Sequence, residues 1–488
     1  MSARPTVLIV GAGLGGLTLG VLLERAGIPY QIFERASVIK PLGSALSLGA
    51  NIIPLFKQIG IYNEFLESAI VRYTTQVYNE KRKLEFVLDS KPAASMGGYD
   101  GYIISRPDIY DILFRQIPPH KIHLGKRVLS TQQNAREVKI ACSDNSIYYG
   151  HILVGADGAY SGVRQSMYKA MKNEGRLPKQ DQEDLPYSCT CLVGNTRPLD
   201  PELFPSLKLD DCSFDCVLSD DKPYTWVTFT TKHNIICWMV VHHLNKTSYR
   251  DNDSFRNSEW GPEAAEAMCN EVRDFAIPGG NGSQTVGDLI DNTPKEHISK
   301  VMLEEKVFDT WHDGRVVLLG DACHKMNPSG GQGALNAMQD AITLANWINV
   351  LNSNDVKAMN KTFTEYKMER YPHAVEAFES SKMFSRIIAR NLTGRIVRFA
   401  TKHMPRWAWM MALRKMASNR PQVAFLPMIE DLGTVKPVYQ PSLYKTKGAG
   451  PNHPQAQEDA NRQSSRHSRS GQGQDGNDFI DSDVKCKL

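Results

Sequence analysis

Long apolar runs and a large excess of one charge are both missing from this chain of 488 residues. No stretch of 18 consecutive apolar residues occurs, which predicts that no segment spans a membrane. The formal net charge is only +4, and outside the C-terminal third the basic residues are mixed with acidic ones, so nucleic-acid binding is not indicated. An apolar strand is predicted from Thr6, which leaves no room for a signal peptide, and we therefore expect a cytoplasmic protein.

Cysteine is sparse, with nine residues scattered along the chain. Only Cys189 with Cys191 and Cys212 with Cys216 are close in sequence, and neither pair has partners at the spacing of a zinc site. We expect reduced, mostly buried thiols and no bound metal. The remaining composition, with 41% apolar and 23% charged residues, is typical of a soluble globular protein of two or three domains.

A glycine motif lies near the start of the chain. In TVLIVGAGLGG, Gly11, Gly13 and Gly16 follow an apolar strand and open a helical segment, and Glu34 ends the next apolar run. This spacing is typical of a dinucleotide site, in which the glycines permit a tight turn, close approach of a pyrophosphate and close helix packing. The pyrophosphate then lies at the positive end of the helix, and the acidic side chain accepts a hydrogen bond from a ribose hydroxyl.

The order of strand-like and helix-like segments predicts an α/β chain with a β-rich insertion. We expect a nucleotide-binding domain over residues 1–186, interrupted by a mainly β substrate domain over 187–301 and resumed over 302–359. Residues 360–444 are predicted to be helical, and residues 445–488, which lack a core-forming pattern, to be disordered.

Two later segments add to the N-terminal motif. Residues 152–164, ILVGADGAYSGVR, end a strand at Asp157-Gly158, and residues 316–341, VVLLGDACHKMNPSGGQGALNAMQDA, end another at Gly320-Asp321. Either segment alone could be only a turn or a connecting loop. Together, the three segments resemble the group A flavin-dependent monooxygenases, the para-hydroxybenzoate hydroxylase family, over residues 6 to 350. The segment PLGSALSLGANIIPLFKQIGI is most similar to fungal FAD-dependent monooxygenases that oxidise terpenoid and indole-terpenoid intermediates.

This resemblance implies a Rossmann-like FAD-binding domain and a non-covalent FAD held at the glycine motif. Gly11, Gly13 and Gly16 would hold the FAD pyrophosphate. Glu34 would contact the adenosine ribose, and Arg35 the neighbouring adenosine moiety.

A second group of residues is implied for the flavin side of the cofactor. The loop from Gly43 to Ser47 would run past the flavin, and Arg106 would reach the ribitol and phosphate region. Asp321 would hydrogen-bond the ribitol. Asp157 would contribute to the nucleotide site, in a motif that the family associates with both FAD and NAD(P)H.

The glycine-rich loop after the last strand is implied to face the flavin ring. Gly331, Gly333 and Ala334 would aim backbone N–H groups and a helix N-terminus at the flavin N1 and C2 carbonyl region, where negative charge develops on reduction. Many relatives carry Asn two residues after the last glycine of this loop. This chain has Leu335 followed by Asn336, so we assign Asn336 no flavin contact.

The chemistry implied is reduction of FAD by NAD(P)H, uptake of O₂, and transfer of one oxygen atom from a C4a-hydroperoxyflavin to a bound small molecule. The substrate is expected to be hydrophobic, terpenoid or aromatic, with hydroxylation and epoxidation both open. A reductase or oxidase without oxygen insertion is the alternative, and a halogenase is disfavoured because the motif W-x-W-x-I-P is missing. His324 is interpreted either as an acid/base group or as a structural donor.

The C-terminal third carries basic residues between apolar ones. Helices of this composition bind anionic membrane surfaces, or else form a cover packed on the core with solvated charges. The final Cys486-Lys487-Leu488 resembles a peroxisomal address, which is the alternative to a cytoplasmic location. The basic residues of the C-terminal third are Arg386, Arg390, Arg395, Arg398, Lys402, Arg406, Arg414 and Lys415. The sequence indicates no particular oligomeric state.

Overall fold

The computed structural model of the chain describes residues 4–39, 43–219, 221–248, 261–278, 282–327, 331–388 and 392–446. Of the predicted disordered tail, residues 445–488, Lys445 and Thr446 end helix Pro441–Thr446, and the rest, with its C-terminal Cys486-Lys487-Leu488, lies outside these residues.

A six-stranded sheet forms the centre of the nucleotide-binding part. Its strands are parallel except for one antiparallel edge strand. Because both faces are covered, Val7–Val10 in the middle of the sheet is buried at every residue. Helices Leu14–Ala26 and Gly333–Asn349 contact each other on one face. The strand order is His312–Asp313, Val316–Leu318, Ile152–Gly155, Val7–Val10, Tyr30–Phe33 and Ile122–His123.

A seven-stranded sheet forms the second unit. Its order is Ser299–Glu304, Tyr187–Asn195, Ile236–Ser248, Tyr224–Thr230, Phe214–Leu218, Thr74–Asn79 and Leu84–Asp89. The predicted interval 187–301 therefore does not contain the whole sheet, because two strands come from earlier in the chain. Phe214–Leu218 pairs in parallel with Thr74–Asn79. Pairing between segments so distant in sequence leaves no local pattern from which it could be predicted.

The two faces of this sheet have different neighbours. On one face Leu192, Trp226 and Trp238 form a core with helix Pro262–Val272. The residues that alternate with them point to the other side and line a cavity, as expected for the two-residue period of a strand. The fold class is thus the predicted one: a Rossmann-like α/β domain, an inserted mainly β domain and C-terminal helices.

Smaller elements connect these two units. Three-stranded sheets are formed by Ile147–Gly150, Val138–Cys142 and Val128–Gln133, and by Ala45–Leu48, Tyr102–Ser105 and Ala69–Val71, and Lys306–Val307 pairs with His324–Lys325. The other α-helices are Ile53–Ile59, Tyr62–Ser68, Pro92–Gly97, Arg106–Phe114, Gly162–Asn173, Val286–Asp291, Val356–Ile388, Leu392–Lys402, Arg406–Ser418 and Pro441–Thr446.

The C-terminal helices pack on the rest of the molecule. Val356–Ile388 contacts Gly333–Asn349. Arg406–Ser418 packs the buried side chain of Leu413 near helix Pro92–Gly97. Across the part of the chain that the structure describes, no helix combines the length and apolarity needed to cross a membrane.

A fully buried carboxylate, Asp340, connects three of these elements. Its Oδ1 accepts a hydrogen bond from Arg370 Nε at 2.8 Å, and its Oδ2 accepts one from the Gly320 backbone N–H at 2.9 Å. The Nε2 atom of buried His324 lies 2.5 Å from the same Oδ2. Burial alone would raise the pKa of the Asp340 carboxyl, but His324 and Arg370 outweigh it and hold this pKa at about 2. The stability that the Asp340 carboxylate contributes is therefore complete above about pH 4, the range of an unfolded aspartate, and is lost as the pH falls through the pKa of Asp340 in the folded protein.

Replacing Arg370 by Leu would leave the Asp340 carboxylate buried without its cation. We expect the free energy of unfolding to fall by about 3–5 kcal/mol, the usual effect of removing one partner of a buried ion pair. Urea denaturation followed by circular dichroism measures this change. The exposed Arg406, replaced by Leu, is the control and should shift the free energy by less than about 0.5 kcal/mol. Equal losses in the two variants would contradict the importance of the buried pair.

Candidate cofactor and substrate cavity

The turn between strand Val7–Val10 and helix Leu14–Ala26 is packed so tightly that two of its glycines are required. Gly11 has φ of +106°, and a Cβ atom there would lie 2.3 Å from the carbonyl oxygen of Ala156. A Cβ atom on Gly16 would lie 2.0 Å from the carbonyl oxygen of Gly11. Both glycines therefore serve the turn and the helix packing, as the motif predicts.

Gly13 differs from these two, because no packing within the protein requires it. Its φ is −71°, and a Cβ atom there would meet nothing within 4 Å. It precedes helix Leu14–Ala26, whose first turn carries no acidic residue, so the positive end of the helix faces open space at Gly13. This cradle fits a pyrophosphate group.

Glu34 follows strand Tyr30–Phe33 and turns back toward the glycine loop. Its Oε2 accepts a hydrogen bond from the Ala12 backbone N–H at 2.9 Å, and its Oε1 accepts one from Ala36 N–H at 3.0 Å. Glu34 and Arg35 both line the cavity beside the loop. The carboxylate is thus fixed by backbone donors at the position where the motif places a ribose.

Gly43 and Arg106 are packed against each other on the flavin side. Gly43 has φ of +108°, and a Cβ atom there would lie 2.6 Å from Arg106 Cδ. Arg106 begins helix Arg106–Phe114, which Ser105 caps by accepting a hydrogen bond from Asp108 N–H at 3.2 Å. The arginine side chain therefore passes directly over the loop that continues to Ser47.

Asp321 lies beside the helix N-terminus that the glycine-rich loop opens. Lys325 Nζ lies 2.6 Å from Asp321 Oδ2. Burial raises the pKa of the Asp321 carboxyl, but Lys325 and to a smaller extent His324 and Arg106 outweigh burial and hold this pKa below its usual value. A Cβ atom on Gly333 would lie 3.8 Å from Asp321 Oδ1, so the ionised carboxylate adjoins the first turn of helix Gly333–Asn349.

A cavity of about 2480 Å³ joins these groups to the seven-stranded sheet. Its size exceeds the 300–1,000 Å³ of a site for one drug-sized ligand, which leaves room for an extended cofactor and a substrate together. The open cradle at Gly13, the two helix N-termini and the size of the cavity fit FAD. The predicted residues that line it are Gly13, Glu34, Arg35, Gly43, Ser47, Arg106, Asp321, Gly331, Gly333 and Ala334.

Four predicted residues lie outside the cavity lining: Gly11 and Gly16, which serve the turn, and Asp157 and His324. Asp157 binds its own loop: Oδ1 accepts from Ser161 Oγ at 2.5 Å and Oδ2 from Val163 N–H at 3.2 Å, at the start of helix Gly162–Asn173. Its contribution is to shape the turn beside Gly11. His324 is fully buried on Asp340, which favours the structural interpretation of this residue over the acid/base one.

Three of the described residues have donor atoms close enough together to hold a metal ion: Cys323, His324 and Asp340. The Arg370 guanidinium, however, already occupies Asp340 Oδ1, and a cation placed here would be repelled by it. This chemistry disfavours a metal at the cluster.

Sequence reasoning missed the cavity face of the seven-stranded sheet. Phe214, Val227, Phe229 and Met239 form an apolar wall there. The segment YTWVTFTT alternates in residue type, so its period of two could have separated these side chains from the core side chain Trp226. No single segment shows which of the two faces meets the cofactor.

The open cradle makes Gly13→Ala a sharp test of the cofactor site. A methyl group there clashes with no protein atom but occupies the space where the pyrophosphate would approach. We expect unchanged urea denaturation of the cofactor-free protein and at least about a tenfold loss of FAD affinity, measured by quenching of flavin fluorescence. Gly49→Ala, where a Cβ atom has only ordinary contacts, should preserve both properties. Parental FAD affinity in Gly13→Ala would disprove this position for the pyrophosphate.

Comparison with known proteins agrees with this geometry. The FAD binding domain family matches residues 4–181 and 227–381. The FAD-dependent monooxygenase ptmM of Penicillium ochrochloron is 30% identical over 401 residues, which cover 79% of this chain and 89% of the relative. The FAD-dependent monooxygenase paxM of Penicillium paxilli is 31% identical over 404 residues, 79% of each chain. The crystal structure of Klebsiella pneumoniae HpxO with FAD and uric acid shares the fold, with a TM-score of 0.61, 17% identity, and coverage of 84% of this chain and 92% of that one. The chain therefore belongs to the FAD-dependent monooxygenases.

Proposed function

We propose that this protein uses NAD(P)H and O₂ to insert one oxygen atom into a hydrophobic small molecule, terpenoid or aromatic, by hydroxylation or epoxidation. The observation that carries the proposal is the single cavity that joins the glycine cradle to the apolar face of the seven-stranded sheet. The names of the fungal relatives support the reaction class. Non-covalent FAD, when bound, supplies the electron transfer and the oxygen activation.

In this proposal, the nucleotide end of the cavity binds FAD and orients it. Gly13 and helix Leu14–Ala26 receive the pyrophosphate, Glu34 the ribose, and Arg106 with Asp321 the ribitol region. The N-terminus of helix Gly333–Asn349 faces the cavity with no acidic residue in its own first turn, and the Asp321 carboxylate lies beside it. A fixed dipole at that position stabilises negative charge on the reduced flavin.

The sheet end of the cavity excludes water and holds the substrate. Phe214, Val227 and Phe229 offer apolar surface, which suits a hydrophobic molecule and protects reactive oxygen species from side reactions. Burial raises the pKa of the Cys216 thiol to about 12, so at neutral pH it is protonated and no thiolate nucleophile is available there.

Labelled oxygen distinguishes this proposal from a reductase or oxidase without oxygen insertion. The FAD-loaded protein, NADPH or NADH and ¹⁸O₂ are incubated with terpenoid alkenes and indoles, and products are analysed by mass spectrometry. We expect one ¹⁸O atom in the product and substrate-dependent NAD(P)H consumption. NAD(P)H oxidation that yields only hydrogen peroxide across the panel would support the alternative. Asp321→Ala is the control, because loss of the ribitol contact should remove FAD and both activities.

We further propose that the outer surface of the C-terminal helices contacts an anionic membrane surface, from which an apolar substrate could enter. Four apolar side chains protrude there: Ile396 is 59% exposed, Phe399 66%, Trp407 66% and Met411 63%. Exposed Arg406 and Arg414 lie on the same helices. The inner side of helix Arg406–Ser418 is packed on the protein, so this helix can cover the core with one side and contact a membrane with the other.

Sedimentation with vesicles of phosphatidylcholine and phosphatidylserine tests this surface. We expect the double variant Trp407→Ser/Met411→Ser to bind about tenfold more weakly than the parent, because two apolar side chains no longer enter the interface. Leu129 lies on strand Val128–Gln133, outside the C-terminal helices, and is 63% exposed. The variant Leu129→Ser therefore removes an equally exposed apolar side chain and should bind like the parent. Identical binding of all three proteins would refute the membrane contact.

A further inference from the structure

One cation lies in the apolar part of the cavity and has no carboxylate partner among the described residues. Arg72 follows strand Ala69–Val71, and its backbone N–H donates to the Gly101 carbonyl at 2.8 Å. Its side chain lines the cavity beside Phe214, whose ring centre lies 5.9 Å from the guanidinium carbon. Strand Tyr102–Ser105 separates Gly101 from Arg106, a span of about 17 Å at the rise of a strand. Arg72 is thus distinct from the arginine of the ribitol region.

The hydrogen bonds of Arg72 engage only one side of the guanidinium. Nη1 donates to Thr75 Oγ1 at 3.1 Å and to Ser90 Oγ at 3.4 Å. Nε is buried and has no acceptor among the described residues. The Nε and Nη2 atoms form the edge with which arginine binds carboxylates in a bidentate manner.

The positive charge of Arg72 is also uncompensated. Among the residues that the structure describes, the one ionisable group with a marked effect on Arg72 is the Cys212 thiol. Burial raises the pKa of this thiol to about 12, so it is neutral at physiological pH and supplies no negative charge. Burial lowers the pKa of the Arg72 guanidinium, yet arginine stays charged in proteins. A buried cation without an anion is costly, and a ligand that supplies the anion would remove that cost.

We propose that Arg72 anchors the substrate by binding an anionic oxygen, in the first instance a carboxylate, at one end of an otherwise apolar molecule. This inference rests on the proposed function, because it specifies the substrate class of the same cavity. The apolar wall of Phe214 and Val227 binds the hydrocarbon, and the guanidinium fixes its orientation. The remaining part of the molecule then extends along the cavity toward the flavin end.

Farnesoate and farnesol are suitable probes, since they share an isoprenoid chain and differ in the charged end. Both are titrated into the FAD-loaded protein at neutral pH by isothermal titration calorimetry, which needs no turnover. We expect the parent to prefer farnesoate, and Arg72→Met to bind it about 10-fold to 100-fold more weakly while farnesol binding stays within about twofold. Arg72→Gln keeps a donor for Thr75 and Ser90 and should give the same loss even where the Met variant folds poorly.

Lys367→Met is the matched control, because Lys367 is another cation of the cavity lining and lies over the Tyr371 ring. Its farnesoate affinity should equal that of the parent. The inference is overturned by equal losses in the Lys367 and Arg72 variants, by unchanged binding in both Arg72 variants, or by a parent without preference for farnesoate. FAD content is measured in the same samples, so a failure of cofactor binding would count separately against the proposed function.

Discussion

The buried contact of Asp340 with Arg370 is the constraint on which the geometry of the cavity around Asp321 depends. Asp340 belongs to helix Gly333–Asn349, Arg370 to helix Val356–Ile388, and the Gly320 N–H that completes the site belongs to the strand end before Asp321. One carboxylate therefore fixes the distance between a helix N-terminus and the loop that carries Asp321. Because an unpaired charge in this position would be strongly destabilising, the three elements keep one arrangement.

Charge is distributed unevenly along the cavity. At one end, the N–H groups of two helix N-termini, the cations Arg106 and Lys325 and the carboxylates Glu34 and Asp321 make the lining strongly polar. Toward the sheet, the lining becomes apolar, and Arg72 is the buried cation that interrupts it. In the proposed function, this arrangement would separate the binding of a charged cofactor from the binding of an apolar substrate.

The sequence was sufficient to predict residues whose spacing is set by one turn or by one strand end. Gly11 and Gly16 are required by one turn, and Gly13 and Glu34 follow from the same motif, so a short segment was sufficient to predict them. Asp321 also follows a strand end. The orientation of Asp157 was not predictable, because its carboxylate is bound by Ser161 four residues later, whereas the motif suggested the nucleotide.

Contacts between residues distant in sequence could not be predicted, for a different reason. Asp340 and Arg370 are thirty residues apart on two helices, and neither helix pattern shows which neighbour it meets. Asn336 and Asp340 lie one helical turn apart and are both buried, so a polar pair on a buried helix face was a signal that could have indicated a partner. Arg72 gave no local signal, since its environment is assembled from Thr75, Ser90 and the distant Phe214.

The parallel pairing of Phe214–Leu218 with Thr74–Asn79 has a consequence for engineering and evolution. A fragment cut at the predicted boundaries 187–301 would lose two strands and expose the backbone donors and acceptors of Phe214–Leu218 as a bare edge, which invites aggregation. During synthesis, the sheet cannot close until both halves of the pairing have left the ribosome, so its formation is delayed by a long loop closure. Chimeras between relatives that exchange substrate specificity must therefore transfer residues 74–89 together with the later strands, as one non-contiguous module.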